Sequence, residues 1–329
     1  MSKTSVSLDQ IAATTKAALI RHGAEDWIAA EVATAVRMAE ATGNLICGLY
    51  YLESYCQQLQ SGRVKGDVTP VVSQKRTASV EVDAKLGFAQ PAFARGLPLA
   101  LETARSAGIC ALAIRHAHTC TSLGYFTEQI AKAGLIGIGF TNASAVVSPP
   151  GGTKAVLGTN PMAMAVSAKD GSVAFQFDQS TSAVALGKIT MAASAGQDIP
   201  LGWAVDAAGQ PTTDAKAALK GSLVSTGGYK GWGFGLMVET LAACMMGTAL
   251  SQDVKALKAP DGPPHDLGQF YILLDPETFA GAEFWTGLAK LSGAVDAQEG
   301  ARLPGAKRVL PDTVSIDAAL WDKVSALAV

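Results

Sequence analysis

The chain has 329 residues, of which 49% are apolar and 16% charged, with 34 glycines and a formal net charge of −2. That length allows two domains, and the composition is that of a tightly packed globular protein rather than a disordered chain. No basic block is present, which argues against a nucleic-acid groove, and the least charged runs (237–250 and 133–140) are too short or too glycine-broken to span a bilayer.

Residues 7–41 read as two helices. Ser7 can cap LDQIAATTKAALIRHG, in which Leu8, Ile11, Ala12 and Leu19 recur at helical spacing and Gly23 ends the run. A second helix is predicted over 27–41, closed by Gly43 and Asn44, and a third from 49 to about 60. An extended segment follows around Pro70. TASVEVDAKLGFAQ then predicts a strand and turn, FARGLPLALETARSAG a helix, ICALAIRHAH a buried strand, GYFTEQIAKAG a helix and LIGIGFTNA a second buried strand. VAFQFDQST and KGSLVSTGG carry strand or loop signals, and 228–250 reads as one long helix entered through a glycine-rich corner. GQFYILLD is a late strand, and TFAGAEFWTGLAKLSGAV a late helix. This alternation places polar clusters at strand ends, where α/β proteins keep their sites.

The N-terminal MSKTSVSLDQ has no apolar signal core, so a cytoplasmic protein is expected. Cys47, Cys56, Cys110, Cys120 and Cys244 show no C-x-x-C spacing, which predicts a reducing compartment and no bound metal. The usual nucleotide fingerprints are missing. GLIGIGF has its glycines in the wrong order for a dinucleotide turn, and GGTKAVLG lacks the ending of a phosphate loop.

Four stretches crowd small, polar and rigid residues together: SPPGGTKAVLGTNPMA, FDQSTSAVALGK, IPLGWAVDAAGQPTTDA and GGYKGWGFGLMVE. Lys230, among glycines at a helix start, is the leading anion-site residue on physical grounds. The plainer alternative is that these are tight turns in which glycine satisfies steric demand and nothing binds. Among the histidines, His22 and His265 read as solvated. His116 and His118 follow a buried strand, and alternation sends both to one side.

GTNPMA, FDQSTSAVALGK, IPLGWAVDAAGQPTTDA, GGYKGWGFGLMVE and RLPGAKR together resemble the malate/L-lactate dehydrogenase type 2 family, over most of the chain and in order. The resemblance implies an α/β (α+β) protein of non-Rossmann type. Its largely antiparallel or mixed sheet would lie in a nucleotide-binding domain over 71–235 with strand segments of 266–329. A helical domain would be formed by 1–70 joined by part of 236–329. It also implies a homodimer that transfers hydride between NADP (or NAD) and a small carboxylate substrate, either a 2-oxo acid or a cyclic imino acid. The cofactor region then falls on Asn142, Gly158, Thr159, Asn160 and Pro161, on Asp178, Ser182, Gly187 and Lys188, and on Lys230 and Gly231.

The corner NLICGLYYLESY departs from the family. There the pattern is Gly-x-x-Ser-His-Gly-x-x-Arg, with the histidine as acid/base and the arginine near the substrate carboxylate. Here Gly43 and Gly48 keep register, but Ile46, Cys47 and Tyr51 stand at the serine, histidine and arginine positions. In AHTCTSLG, Thr119 replaces a second family histidine, with His118 beside it and Arg115 upstream. A ketone reductase needs a positioned acid, worth about 10²–10⁴ in rate. A cyclic imine can enter already protonated. The expectation is therefore an imino-acid reductase whose site uses Cys47, Tyr51, His118, Thr119 and Arg115. The alternatives are a 2-hydroxy-acid dehydrogenase with His118 as acid/base, and a catalytically silent nucleotide-binding homologue.

Overall fold

The computed structural model describes residues 2–306 and 308–329. Lys307, inside the RLPGAKR stretch, lies outside the described residues. In chain order the elements are β1 (Lys3–Ser7), α1 (Leu8–Arg21), α2 (Asp26–Ala41), α3 (Leu52–Ser61), β2 (Val71–Arg76), β3 (Ser79–Asp83), α4 (Ala89–Ala107), β4 (Ile109–Ala117), α5 (Gly124–Lys132), β5 (Ile136–Thr141), β6 (Met162–Ser167), β7 (Val173–Gln179) and α6 (Leu186–Ala195). Then come β8 (Ala204–Val205), β9 (Pro211–Thr212), α7 (Ala215–Lys220), β10 (Ser222–Leu223), α8 (Tyr229–Glu239), β11 (Leu267–Leu274), α9 (Pro276–Ala280), α10 (Ala282–Asp296), β12 (Thr313–Asp317) and α11 (Ala318–Ala328).

The fold is mixed α/β. Among the described residues its main sheet has seven strands in the order β2-β3-β4-β11-β5-β6-β7, and only β3 and β4 run parallel. Along β4, Cys110, Leu112 and Ile114 point to the core under α4, while Ala111 and Ala113 face the other side. The late strand β11 slides between β4 and β5, so segments more than 120 residues apart in sequence share the sheet centre. A small three-stranded sheet, β10-β8-β9, packs with α6 and α7 on a separate core that includes Val147, Leu157 and Ile189.

The helical layer has its own core of Ile11, Leu19, Ile28, Val32, Leu52 and Tyr55, together with Ile316 and Val324 from the far C-terminal end. The antiparallel pair β1–β12 brings that end home. Ser7 caps α1 through a capping box: its hydroxyl accepts from Gln10 N at 3.1 Å and Gln10 Oε1 accepts from Ser7 N at 2.9 Å.

Two predicted helices are shorter than expected. The run over 228–250 is α-helical only to Glu239 and then widens into a π turn over Thr240–Cys244. There Gly268 of β11 approaches so closely that a Cβ on it would overlap the Ala242 carbonyl. The late helix is split at Gly281, whose φ of 54° turns the chain between α9 and α10. Among the described residues no helix is long and apolar enough to cross a membrane, and no group of three or more His, Cys, Asp or Glu could hold a metal ion.

Candidate active site

The corner after α2 forms from two short 3₁₀ turns, Leu45–Cys47 and Leu49–Tyr51. The buried Glu40 carboxylate accepts from Leu49 N at 2.8 Å, and a Cβ at Gly48 would overlap that carboxylate. Leu45, Ile46 and Tyr50 are thereby turned outward and exposed, while Cys47 and Tyr51 are half-buried. Asn44 Nδ2 donates to Ser122 Oγ at 3.4 Å, tying the corner to the loop after β4. Ser122 Oγ in turn donates to Asp178 Oδ2 at 3.4 Å, and Gly124 N donates to the same oxygen at 2.7 Å.

Asp178 therefore belongs with Cys47. Gln176 and Asp178 point from β7 toward Asn44 and Ser122, whereas Phe177 and Gln179 line a separate pocket on the opposite face. Asp178 is exposed to its pocket, yet the protein atoms around it desolvate the carboxyl and push it above the usual carboxylate range, against the hydrogen bonds from Gly124 and Ser122. Burial, then the Asp178 charge, push the Cys47 thiol up to about 12. Cys120 is raised well above the usual thiol range by the same two causes. Burial also holds the Tyr51 and Tyr55 phenols well above their ordinary value. The Tyr55 hydroxyl is buried, and its ring packs against Tyr51 at 5.8 Å between centroids. Tyr55 escaped the sequence reading, although it stands four residues after Tyr51 and so on the same helical face.

Other expected site residues have different surroundings. His118 is buried, and its ring lies flat on His265 with centroids 3.9 Å apart. The Gln58 Nε2 group donates to the Leu257 and Ala259 carbonyls, so Gln58 Oε1 accepts from His118 Nε2 at 2.7 Å. Burial, with His265 and Arg63 nearby, holds His118 well below the ordinary histidine range. It is a neutral, packed imidazole whose proton is already donated. His265 is equally buried rather than solvated, is held down to about 3 by burial and Arg63, and accepts from Thr119 N at 3.2 Å. His116 takes a positive φ of 53° and pairs with Asp266 at 2.7 Å, which breaks the alternation that would have put it beside His118. Thr119 is buried, with its hydroxyl accepting from Thr121 N at 3.4 Å. Arg115 binds Glu81 at 3.0 Å and reaches Asp83 at 3.8 Å, in a pocket lined by Met245, Met246 and Phe270 rather than by the corner residues.

The expected cofactor residues also divide. Asn142 Nδ2 donates to Ala249 O at 2.9 Å, and Asn160 Nδ2 donates to Gly235 O at 3.1 Å and Glu239 Oε2 at 2.8 Å. Both amides are buried ties between segments and are not free to meet a ligand. Thr159 O accepts from Thr181 N at 2.9 Å, Pro161 O accepts from Thr141 N at 3.4 Å, and a Cβ at Gly158 would overlap the Ala143 carbonyl. In contrast, Ser182, Lys188, Lys230 and Gly231 come together in one pocket of about 640 Å³, where both lysines are exposed. A second groove runs on the Asp178 side. Its two parts, about 310 and 540 Å³, share Glu128, Gln176 and Arg308. Arg308 was not singled out by its motif, yet it lines both parts.

The model of the malate/L-lactate dehydrogenase family matches residues 6–316. A Delta(1)-pyrroline-2-carboxylate reductase of Pseudomonas fluorescens is 36% identical over 92% of this chain and 90% of its own. A (2R)-3-sulfolactate dehydrogenase (NADP(+)) of Chromohalobacter salexigens is 37% identical over 92% and 90%. The crystal structure of a delta1-piperideine-2-carboxylate reductase from Pseudomonas syringae superposes with a TM-score of 0.89 at 33% identity, covering 98% of this chain and 99% of that one. With the family match over most of the chain and these likenesses together, the chain belongs to the malate/L-lactate dehydrogenase family and is an oxidoreductase.

Proposed function

We propose that the protein is an NAD(P)H-dependent reductase of a small cyclic 2-imino acid of the pyrroline-2-carboxylate or piperideine-2-carboxylate type. The observation that carries this reading is that Asp178 is tied through Ser122 and Asn44 to the corner that holds Cys47. The group at the family's acid/base position is a neutral thiol, and the charge beside it is negative. A protonated imine is a cation, so a carboxylate next to its C=N bond favours it. At ~4 Å and an effective dielectric of 20, one such pair is worth about 4 kcal/mol.

A bound nicotinamide would supply a hydride. As C2 of the iminium accepts it, the C=N π pair moves to nitrogen and the product is a neutral secondary amine, with no proton donor required. A ketone would instead develop an alkoxide beside Asp178, which the same charge disfavours. It would also need an acid, and Cys47, Tyr51 and Tyr55 all hold their protons too tightly to give one up readily near neutral pH. His118, the acid of the alternative hydroxy-acid reading, is buried and already bonded to Gln58. Tyr51, backed by the buried Tyr55 ring, contributes a hydroxyl and an aromatic face against which a flat five- or six-membered ring can lie.

The residues fit an anionic cofactor. Lys188 and Lys230 offer two exposed ammonium groups to phosphates in one pocket, and Arg308 offers a third cation in the groove that starts at Asn44. NADP is the expected form, with Arg308 meeting the extra phosphate. The exposed apolar residues Tyr229, Phe234, Met237 and Met245 on α8 and its π turn support a homodimer, which light scattering would register as twice the chain mass. Five free thiols favour a reducing, cytoplasmic setting.

The test is NADPH and NADH oxidation at 340 nm with pyrroline-2-carboxylate and piperideine-2-carboxylate set against pyruvate and oxaloacetate. Turnover on the imines alone supports the reading; turnover on the ketones at equal or higher kcat/KM refutes it.

A further inference from the structure

A small imino acid carries a carboxylate, and its site needs a cation to hold it. Position 51, where the family's arginine stands, here carries a tyrosine. Of the guanidinium groups around the site, Arg308 lines the groove with Asn44, Ser122 and Asp178, and two others are committed elsewhere. Arg115 is paired with Glu81, and Arg63 is buried with its donors spent on backbone carbonyls. One ammonium lies beside Tyr51, over the exposed ring of Tyr50. Lys258 Nζ lies 3.4 Å from the ring centroid of Tyr50 and 5.6 Å from that of Tyr51, and it donates to Tyr50 O at 3.2 Å. It forms no ion pair among the described residues.

The loop that carries Lys258 has almost no regular structure, yet its backbone is pinned on both sides. Arg63 donates to Pro263 O at 3.0 Å, Ala256 O at 3.0 Å and Ala259 O at 2.7 Å. Gln58 donates to Leu257 O at 2.8 Å and Ala259 O at 2.7 Å, and Ser61 Oγ to Pro260 O at 2.7 Å. A buried guanidinium is costly unless its hydrogen bonds are well made, and here they all fix the residues flanking 258. The result is a lysine whose backbone is held rigid while two of its three N–H donors stay available. An arginine at 51 would set a second cation against this ammonium, so Tyr51 and Lys258 form a compatible pair in which the positive charge has moved from α3 to the loop.

We infer that Lys258 is the residue that binds the substrate carboxylate in this protein, taking the place of the cation absent at position 51. This rests on the assignment of a small carboxylate substrate made above. It explains why the loop is pinned by Gln58, Ser61 and Arg63, and why the Tyr50 and Tyr51 rings flank an ammonium.

The test uses pyrrole-2-carboxylate, a flat analogue that cannot be reduced, titrated calorimetrically into full-length protein saturated with NADP. Lys258→Ala and Lys258→Met should weaken it tenfold or more, Lys258→Arg should stay within threefold of wild type, and NADPH affinity should be unchanged in all three. Imine turnover by the wild type is measured alongside. If the wild type reduces the imines but Lys258→Ala binds the analogue within twofold of wild type, the inference falls and the reaction assignment stands. If no imine is reduced but Lys258→Ala still loses the analogue, the reaction assignment falls and the carboxylate site stands. Absence of any analogue binding to the wild type overturns the inference as well.

Discussion

The Asp178 carboxylate, held by Gly124 N at 2.7 Å, stands close enough to the Cys47 thiol for its charge to help raise that thiol to about 12. Strand β7 and the corner before α3 are 130 residues apart, and the link between them runs through Asn44 and Ser122. A group that keeps its proton and a neighbour that carries a negative charge suit a substrate that arrives as a cation.

Cys47 is expected to be dispensable for chemistry. Cys47→Ala should keep kcat/KM for pyrroline-2-carboxylate within about fivefold of wild type, well short of the ~10²–10⁴ that removing a general acid costs. A loss of a hundredfold or more, measured by steady-state kinetics, would make the thiol a proton donor after all.

The cofactor cations should separate by form. Lys230→Ala should weaken both NADPH and NADH by roughly tenfold, or about 1.4 kcal/mol. Arg308→Ala should weaken NADPH by a similar factor and leave NADH unchanged. Fluorescence titration of the reduced cofactors reads both, and equal losses for the two forms at Arg308 would remove it from the 2′-phosphate.

How much of this could be read from sequence depends on how local each feature is. The α1 cap at Ser7 and the corner register of Gly43 and Gly48 rest on neighbours a few residues away, and both were legible. The face taken by Asp178 was legible in principle, because two-residue alternation along FDQ separates it from Phe177 and Gln179, but grouping by motif hid that. The place of β11 between β4 and β5, and the use of the Asn142 and Asn160 amides as internal ties, depend on partners 75 or more residues away. The burial of His265 is of the same kind: it sits under a loop organised by Arg63, 200 residues earlier.

The stacked histidines predict an acid-sensitive fold. His265 is depressed to about 3 in the folded protein, so below the unfolded value near 6.5 the unfolded chain binds the extra proton and stability falls with pH. By pH 5 this one group costs about 2 kcal/mol, and His118, depressed in the same direction, adds to it. Denaturant unfolding should show that loss between pH 7 and 5, and His265→Asn, which retains an acceptor for Thr119 N, should flatten it. A pH-independent midpoint would contradict the neutral pair.

Arg63 should matter for the fold of the 255–263 loop. Arg63→Met removes three hydrogen bonds that hold the loop, to Pro263 O, Ala256 O and Ala259 O, and should cost about 3 kcal/mol. Hydrogen exchange should rise across 255–263 ahead of the sheet. Uniform exchange across the chain would mean the loop is held by other contacts.

The most direct test of the account is the pH dependence of kcat/KM for pyrroline-2-carboxylate in wild type and Asp178→Asn. The asparagine keeps an acceptor for Gly124 N and removes only the charge. The account predicts a wild-type rate that falls toward acid as Asp178 takes up its proton, above the usual carboxylate range. In Asp178→Asn it predicts a rate ten- to a hundredfold lower with that acid limb gone. An unchanged rate and profile in Asp178→Asn would contradict the claim that this carboxylate stabilises the cationic substrate.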